Sequence, residues 1–240
     1  MNHTADRLLR LEFELRIFVS LGIVACICAV SAIVSSGAPA MMVILGTAAG
    51  IDPGIARTAG YLLLAVLMGF VSAFRMWAGS ELTARRVMAF RVQTDTLRTS
   101  GPYLLVRNPI YLADFVAMSG FTLCLPAPGL LMPLLFLAHY MRLIRYEEES
   151  LSTGFKTTYS DYSRSVPRLL PSFRSVVALP KALKGFAISA EGFRHNALYV
   201  LFVPGFVAAA WSGEFLIAAV VGIPGVADWA IIHTRIGVRQ

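Results

Sequence analysis

Six apolar runs set the terms for this chain: Arg16–Ser36, Thr58–Gly79, Asn108–Cys124, Ala127–Arg142, Asn196–Trp211 and Phe215–His233. A helix needs about 20 residues to cross the hydrocarbon core of a bilayer. A mean hydropathy of +0.68 with 15% charged residues lies far from an ordinary soluble domain. The runs predict an all-α, polytopic integral membrane protein with about six transmembrane helices. The third and fourth runs are short and are joined by Leu125-Pro126-Ala127-Pro128-Gly129. Proline and glycine fit where helical hydrogen bonds end anyway, so this join reads as a tight helical hairpin. Ala40–Ile51 is apolar but too short to span, and reads as a re-entrant or interfacial piece.

Charge gives the orientation. The net charge is +7, and the basic residues cluster. Arg7, Arg10 and Arg16 precede the first run. Arg85, Arg86, Arg91, Arg98 and Arg107 lie between the second and third. Arg142, Arg145, Lys156, Arg164, Arg168, Arg174, Lys181, Lys184 and Arg194 lie between the fourth and fifth, and Arg235 and Arg239 follow the last. The intervening loops, near Pro39–Ala56, Leu125–Gly129 and Ser212–Glu214, hold no Lys or Arg. Basic residues stay on the cytoplasmic side of a membrane, so both termini are expected there. The positive charge then reads as topology and contact with anionic lipid headgroups, not as a nucleic-acid surface. Eighteen arginines against three lysines fit a GC-rich bacterial genome, and so a bacterial inner membrane. Cys26, Cys28 and Cys124 lie in apolar runs, as small hydrophobes and not as a disulfide or zinc framework. His3, His139, His195 and His233 show no ligand spacing, so no metal is expected.

The polar pattern between the runs carries the chemistry. Gly101-Pro102-Tyr103 opens with a turn. In Arg107-Asn108-Pro109-Ile110-Tyr111, Pro109 suits the first turn of the next helix, and Asn108 is expected to cap it. A helix N-terminus favours a carboxylate, and Tyr103 and Tyr111 can pack against a flat ring. Alone, this is what a well-capped membrane helix with interfacial tyrosines looks like. Glu147-Glu148-Glu149 then follow Arg142 and Arg145. Acidic residues at the end of a helical run oppose its dipole, so they are not caps. Arg145 can pair with Glu148 or Glu149 one turn on. Successive helical residues point about 100° apart, so Glu147 and Glu148 cannot share one surface pair, and one of them should turn inward.

The ordered set Gly101-Pro102-Tyr103, Val106–Tyr111, Glu147-Glu148, Leu151, Phe155, Tyr159, Tyr162, Val166-Pro167-Arg168 and Pro171 resembles the integral-membrane methyltransferases. That group includes isoprenylcysteine carboxyl methyltransferases and phospholipid N-methyltransferases. The resemblance covers roughly Asp95 to Pro171. It implies a helical membrane enzyme that binds S-adenosyl-L-methionine at its cytoplasmic face and methylates a lipophilic acceptor. Cofactor contacts would fall on Asp95, Thr96, Leu97, Arg98, Tyr103, Asn108, Pro109, Ile110, Tyr111 and Glu147. Glu147 would stand near the nucleoside, and the helix start at Asn108 near the methionyl end. Three positions depart from the pattern. Asn108 replaces a histidine common in eukaryotic members. Leu143 replaces an arginine linked to substrate handling, which directs attention to Arg142 and Arg145 beside it. Lys156 replaces a glycine that usually follows the phenylalanine. With Glu148, Arg142 and Arg145 make up the expected catalytic group, and the acceptor's polar head is expected near Arg142, Arg145 and Arg168.

The resemblance stops at Pro171, which divides the chain into a core of residues 1–171 and an extension of residues 172–240. In the extension, Val176, Val177, Leu179, Ala182, Leu183, Phe186 and Ile188 alternate with Arg174, Lys181 and Lys184, as in an amphipathic segment on a membrane surface. Pro180 and Gly185 argue against one regular helix there. Two more spans follow, which could also pair copies of the chain. Asp228 stands out within the last of them. A phospholipid amine N-methyltransferase, a membrane NADPH-dependent reductase of the steroid-reductase type and a non-enzymatic membrane protein stay open beside the main reading.

Overall fold

The computed structural model describes residues 3–82 and 96–237. Asp95, Arg85, Arg86 and Arg91 lie outside them. Among the described residues the regular elements are all helices, with α1 (His3–Glu14), α2 (Arg16–Val34), α3 (Met41–Ala48), α4 (Pro53–Ser80), α5 (Pro109–Phe121) and α6 (Leu131–Ser165). Two short helices follow, α7 (Phe173–Val177) and α8 (Leu179–Leu183), then α9 (Ala190–Asn196), α10 (Phe202–Ser212) and α11 (Phe215–Gly237).

Four of these segments are long and apolar enough to cross a membrane, namely Arg16–Val34, Pro53–Ser80, Ala127–Ser165 and Phe215–Ile232. The other two expected spans are shorter. α5 with the tight turn Thr122–Cys124 reaches about 26 Å. The run Asn196–Trp211 is divided: α9 ends at Asn196, a turn follows, and α10 has only 11 residues. Pro204 gives the reason, since it has no N–H to donate back to Val200 and confines the helix start to its own first turn. Each short helix lies beside a long one, α5 against α6 and α10 against α11.

α4 is the central helix, packed on by α3, α5, α9 and α10. Its start falls five residues before the expected Thr58. Asp52 accepts from the Gly54 and Ile55 amides at 2.8 and 3.1 Å, and Pro53 occupies the first helical position. This is an N-cap with the proline that suits it. The longer helix carries exposed Arg57 in its first turns, so the end of the helices expected to be free of basic residues holds one. Tyr61, Leu64, Met68, Ala113, Ala117, Phe206 and Ala209 form one buried core around α4. Phe13, Ile27, Met132, Phe136, Tyr140 and Leu143 form a second around α6. Leu63, Val66 and Phe70 on α4 are exposed, as expected of side chains that face lipid tails. At Gly205, α10 lies against the Ala218 backbone of α11, a small-residue contact that lets two membrane helices approach closely.

The N-terminal helix α1 was not expected. It docks on α6 through Glu12, which bonds His139 at 2.8 Å and Arg142 at 2.7 Å, and through buried Phe13. The amphipathic segment folds as two short helices, with Pro180 in the first turn of the second. Its Ala182 packs on Trp77 and Leu105, while Phe173 and Val177 point outward.

α6 bends at Lys156, where φ is 46° and ψ is −116°. Among the described residues this is the one non-glycine with positive φ. The glycine that the resemblance implies at this position thus has a backbone reason, and lysine holds the same bend under strain. Such strain costs about 1–3 kcal/mol, and glycine's extra unfolded-state freedom gives back roughly 0.5–1 kcal/mol of the relief. Lys156→Gly should therefore raise stability by about 1 kcal/mol, and Lys156→Ala should not, measured as the midpoint of thermal unfolding in detergent.

Candidate functional site

Three polar strips meet at one end of the helices: the turn Gly101–Leu104 with the start of α5, the middle of α6, and residues 162–168 after its bend. Glu148 is their centre. It is buried, and it takes Arg107 Nε on one oxygen and Arg168 Nε on the other, both at 2.9 Å. Arg107 donates further to the carbonyls of Ser163 at 2.6 Å and Val166 at 3.0 Å, and its backbone N–H donates to Pro167 O. Asn108 donates from Nδ2 to Arg168 O at 3.0 Å and more weakly to Glu148 at 3.4 Å. Tyr162 donates to Tyr103 O at 2.8 Å. These bonds form a clasp that fastens the segment beyond the bend onto the start of α5.

This arrangement changes the reading of Asn108. It occupies the N-cap position of α5, but its side chain makes no capping bond. Its amide is committed to the clasp, which leaves the start of α5 without a side-chain cap. Glu148 pairs with Arg107 and Arg168, not with Arg145. Buried carboxylates persist where charge and hydrogen bonds surround them, and Glu148 has both.

Glu147 points elsewhere. One residue earlier on α6 is a turn of about 100°, and Glu147 accepts from the Tyr111 hydroxyl at 2.8 Å. Both line a cavity of about 720 Å3, within the roughly 300–1,000 Å3 typical of ligand sites. Thr96, Leu97, Arg98, Tyr103, Asn108, Pro109 and Ile110 line it too. The cavity thus gathers every residue expected to hold a cofactor apart from Asp95, which lies outside the described residues. Burial pushes the Tyr103 phenol well above the usual tyrosine range, reinforced by Tyr162 and the negative Glu147. Tyr103 therefore stands as a neutral aromatic wall.

Along α5 the lining continues from Tyr111 through Asp114 to Met118 and Phe121, about 15 Å along the helix. The polar mouth becomes an apolar interior walled by α2, α6, α10 and α11, including Val24, Met132, Phe136, Phe202 and Ile223. The residues expected to act on the acceptor sit apart from it. Arg142 is exposed and held by Glu12 of α1. Exposed Arg145, Glu148 and Arg168 line a smaller outer cleft with Glu149. The arginines of the main cavity are Arg16, Arg75, Arg98 and Arg107.

Arg75 and Asp114 form a buried ion pair on the cavity wall, joined by Tyr199, whose hydroxyl donates to Asp114 at 3.0 Å. Sequence reasoning passes over both charged residues. The signal was present: an ionisable residue inside an apolar run is a functional flag, and it was raised only for Asp228, which is exposed on α11.

Comparison with known proteins agrees with this geometry. Residues 55–158 match the family model described as phospholipid methyltransferase. Methanethiol S-methyltransferase 2 of Bradyrhizobium diazoefficiens is 31% identical over 105 residues, covering 44% of this chain and 36% of that protein. The nickel-cobalt-cadmium resistance protein NccN of Alcaligenes xylosoxydans is 30% identical over 45% of this chain and 47% of its own. The cobalt-zinc-cadmium resistance protein CzcN of Cupriavidus metallidurans is 27% identical over 51% and 52%. The chain thus spans about half the length, or less, of the curated relatives it matches. No solved structure matches it. The family match takes in most of the central helix, the hairpin and both glutamates of the site, so over residues 55–158 this chain is similar to the phospholipid methyltransferases.

Proposed function

We propose that this chain transfers a methyl group from S-adenosyl-L-methionine to a lipophilic acceptor at the cytoplasmic face of the membrane, as isoprenylcysteine carboxyl methyltransferases do. The observation that carries this reading is one cavity with two characters. Its mouth holds Glu147 on Tyr111, the aromatic Tyr103 and an α5 start without a side-chain cap, while its interior is apolar.

The residues present fit such a cofactor. Glu147 is a hydrogen-bond acceptor suited to ribose hydroxyls. The first amides of α5 and the positive end of its dipole suit the methionyl carboxylate. Tyr103 supplies a flat apolar surface for the base, and Thr96–Arg98 close the mouth. When bound, the cofactor supplies a methyl group on a cationic sulfur, so the protein's share of the work is alignment and exclusion of water. Arg107, Glu148 and Arg168 act in this reading as positioning residues that hold the start of α5 in place. Arg142 and Arg145, at the outer rim, would meet an acceptor's polar head only as it approaches from the headgroup region.

Among the described residues, Arg98 and Arg107 line the cavity, and Arg107, Arg145 and Arg168 line the outer cleft beside it. With the basic residues, this supports placing both termini in the cytoplasm of a bacterial cell. The family description also supports a phospholipid amine as acceptor, and the relative named as a methanethiol S-methyltransferase supports sulfur as the accepting atom. Of the C-terminal helices, α10 packs on α4 and α11 packs on α10, and their outer faces remain the surface by which two copies would pair. Calorimetry on purified protein tests the cofactor directly. S-adenosylhomocysteine should bind and NADPH should not. Binding of NADPH alone would move the chain to the reductase reading, and binding of neither would end both.

A further inference from the structure

The Arg75–Asp114–Tyr199 cluster stands where the cofactor mouth meets the apolar interior. Asp114 lies six residues beyond Asn108, about 9 Å deeper along α5. Arg75 comes from the C-terminal part of α4, five residues before its end at Ser80, and is only 2% exposed. Tyr199 comes from the turn before α10, and the Arg75 guanidinium lies 5.6 Å from the ring centre of Trp229 on α11. Four separate elements thus converge on one buried cation. All four residues line the cavity.

A pair that served only to join helices would close its hydrogen bonds internally, because an unmet polar group in an apolar setting costs about 1–3 kcal/mol. This pair does not close. Arg75 gives Nη1 to Asp114, while its Nε is buried and has no partner. Asp114 takes both Arg75 and Tyr199 on Oδ1. The cluster therefore leaves a buried cationic donor, Arg75 Nε, unmet. A guanidinium offers its donors as a planar fork, so one edge can hold Asp114 while another takes a second anion.

We propose that Arg75 is the acceptor-recognition residue, and that it seats a lipophilic acid whose carboxylate or thiolate is the atom to be methylated. This rests on the methyl-transfer reading for the identity of the reaction. The acceptor's sulfur or oxygen forms a bond to the methyl carbon. The carbon–sulfur bond of the sulfonium breaks, and its electron pair stays on that sulfur. No proton has to move in this step, because Arg75 favours the acceptor in its ionised form. An ammonium head would instead meet Arg75 as a like charge. The tail would lie among Met118, Phe121 and Ile223 in the apolar interior. Tyr199 and Trp229 belong to the extension beyond residue 171, so that extension supplies part of the acceptor wall.

Binding decides the matter without knowledge of the natural acceptor. Purified protein in phosphatidylcholine nanodiscs would be titrated with radiolabelled dodecanoate, followed by displacement with dodecanethiol, dodecylamine and dodecanol, in the presence of S-adenosylhomocysteine. At least one of the two acids should bind about tenfold or more tightly than both the amine and the alcohol, and which acid does so tells carboxylate from thiol. Arg75→Gln should abolish that preference and leave S-adenosylhomocysteine affinity within about twofold. Because Arg75→Gln leaves Asp114 unpaired and can unfold the chain, the double variant Arg75→Gln/Asp114→Asn, which removes both charges, gives the same readout. A wild type that ranks the four heads equally or prefers the amine overturns the proposal. So does an acid preference that survives in the double variant. Failure of S-adenosylhomocysteine to bind the wild type, with the acid preference intact, would sink the methyl-transfer reading and leave the anion site standing.

Discussion

Glu148→Ala should cost this protein about 3–5 kcal/mol of stability, the range for breaking a buried ion pair from one side. The carboxylate holds Arg107 and Arg168 on its two oxygens, and it is itself buried. Its removal leaves Arg107, a side chain only 10% exposed, with two carbonyl partners and no counter-charge. Glu148→Gln should cost less, because an amide keeps an acceptor for one arginine. Thermal unfolding in detergent, together with the yield of monodisperse protein, reads this out. A Glu148→Ala protein within about 1 kcal/mol of wild type would mean that the clasp is a surface ornament.

The neighbouring substitution should behave in the opposite way. Glu147→Ala should leave the fold near wild type, because its one described partner is the Tyr111 hydroxyl. It should instead weaken S-adenosylhomocysteine binding by about tenfold or more, since a lost hydrogen bond to a charged group costs roughly 1.5–3 kcal/mol. Tyr111→Phe should show a smaller loss of the same kind, because it frees Glu147 to turn. Calorimetry on the three proteins measures both effects. Wild-type affinity in Glu147→Ala would misplace the nucleoside end of the site, whatever became of Glu148. Two adjacent glutamates with separate duties, one in binding and one in stability, are the sharpest consequence of this geometry.

The spans Arg16–Ser36 and Thr58–Gly79 and the proline-bound hairpin were legible because composition alone decides whether a segment can sit in lipid. That Tyr103, Asn108, Tyr111 and Glu147 line one cavity was legible through the ordered pattern from Gly101 to Pro171. Other features depend on contacts that no local pattern carries. Asn108 looked like a cap and stands in the cap position, but a carbonyl 60 residues away takes its amide. Glu148 looked like a chemical group because its two arginines lie 41 and 20 residues away. The split of Asn196–Trp211 was written in Pro204 and was outweighed by the apolar character of the run. Arg75 and Asp114 were visible as charges in apolar runs; what could not be read was that they meet.

The separate duties of Glu147 and Glu148 also restrict how such chains can change length. Both residues are placed by the phase of α6, which begins at the hairpin turn and runs without interruption to the glutamates. Deleting one residue in between would rotate everything after it by about 100°. The clasp would then receive the wrong side chain, and the cavity would lose its carboxylate. Changes of seven residues, close to two full turns, keep the phase but move the glutamates by about 10 Å along the axis. The stretch from the hairpin to the site is therefore a ruler as well as a wall. Lineages that live in thicker or thinner membranes are expected to adjust α2, α4 or α11 in length and to leave this stretch alone.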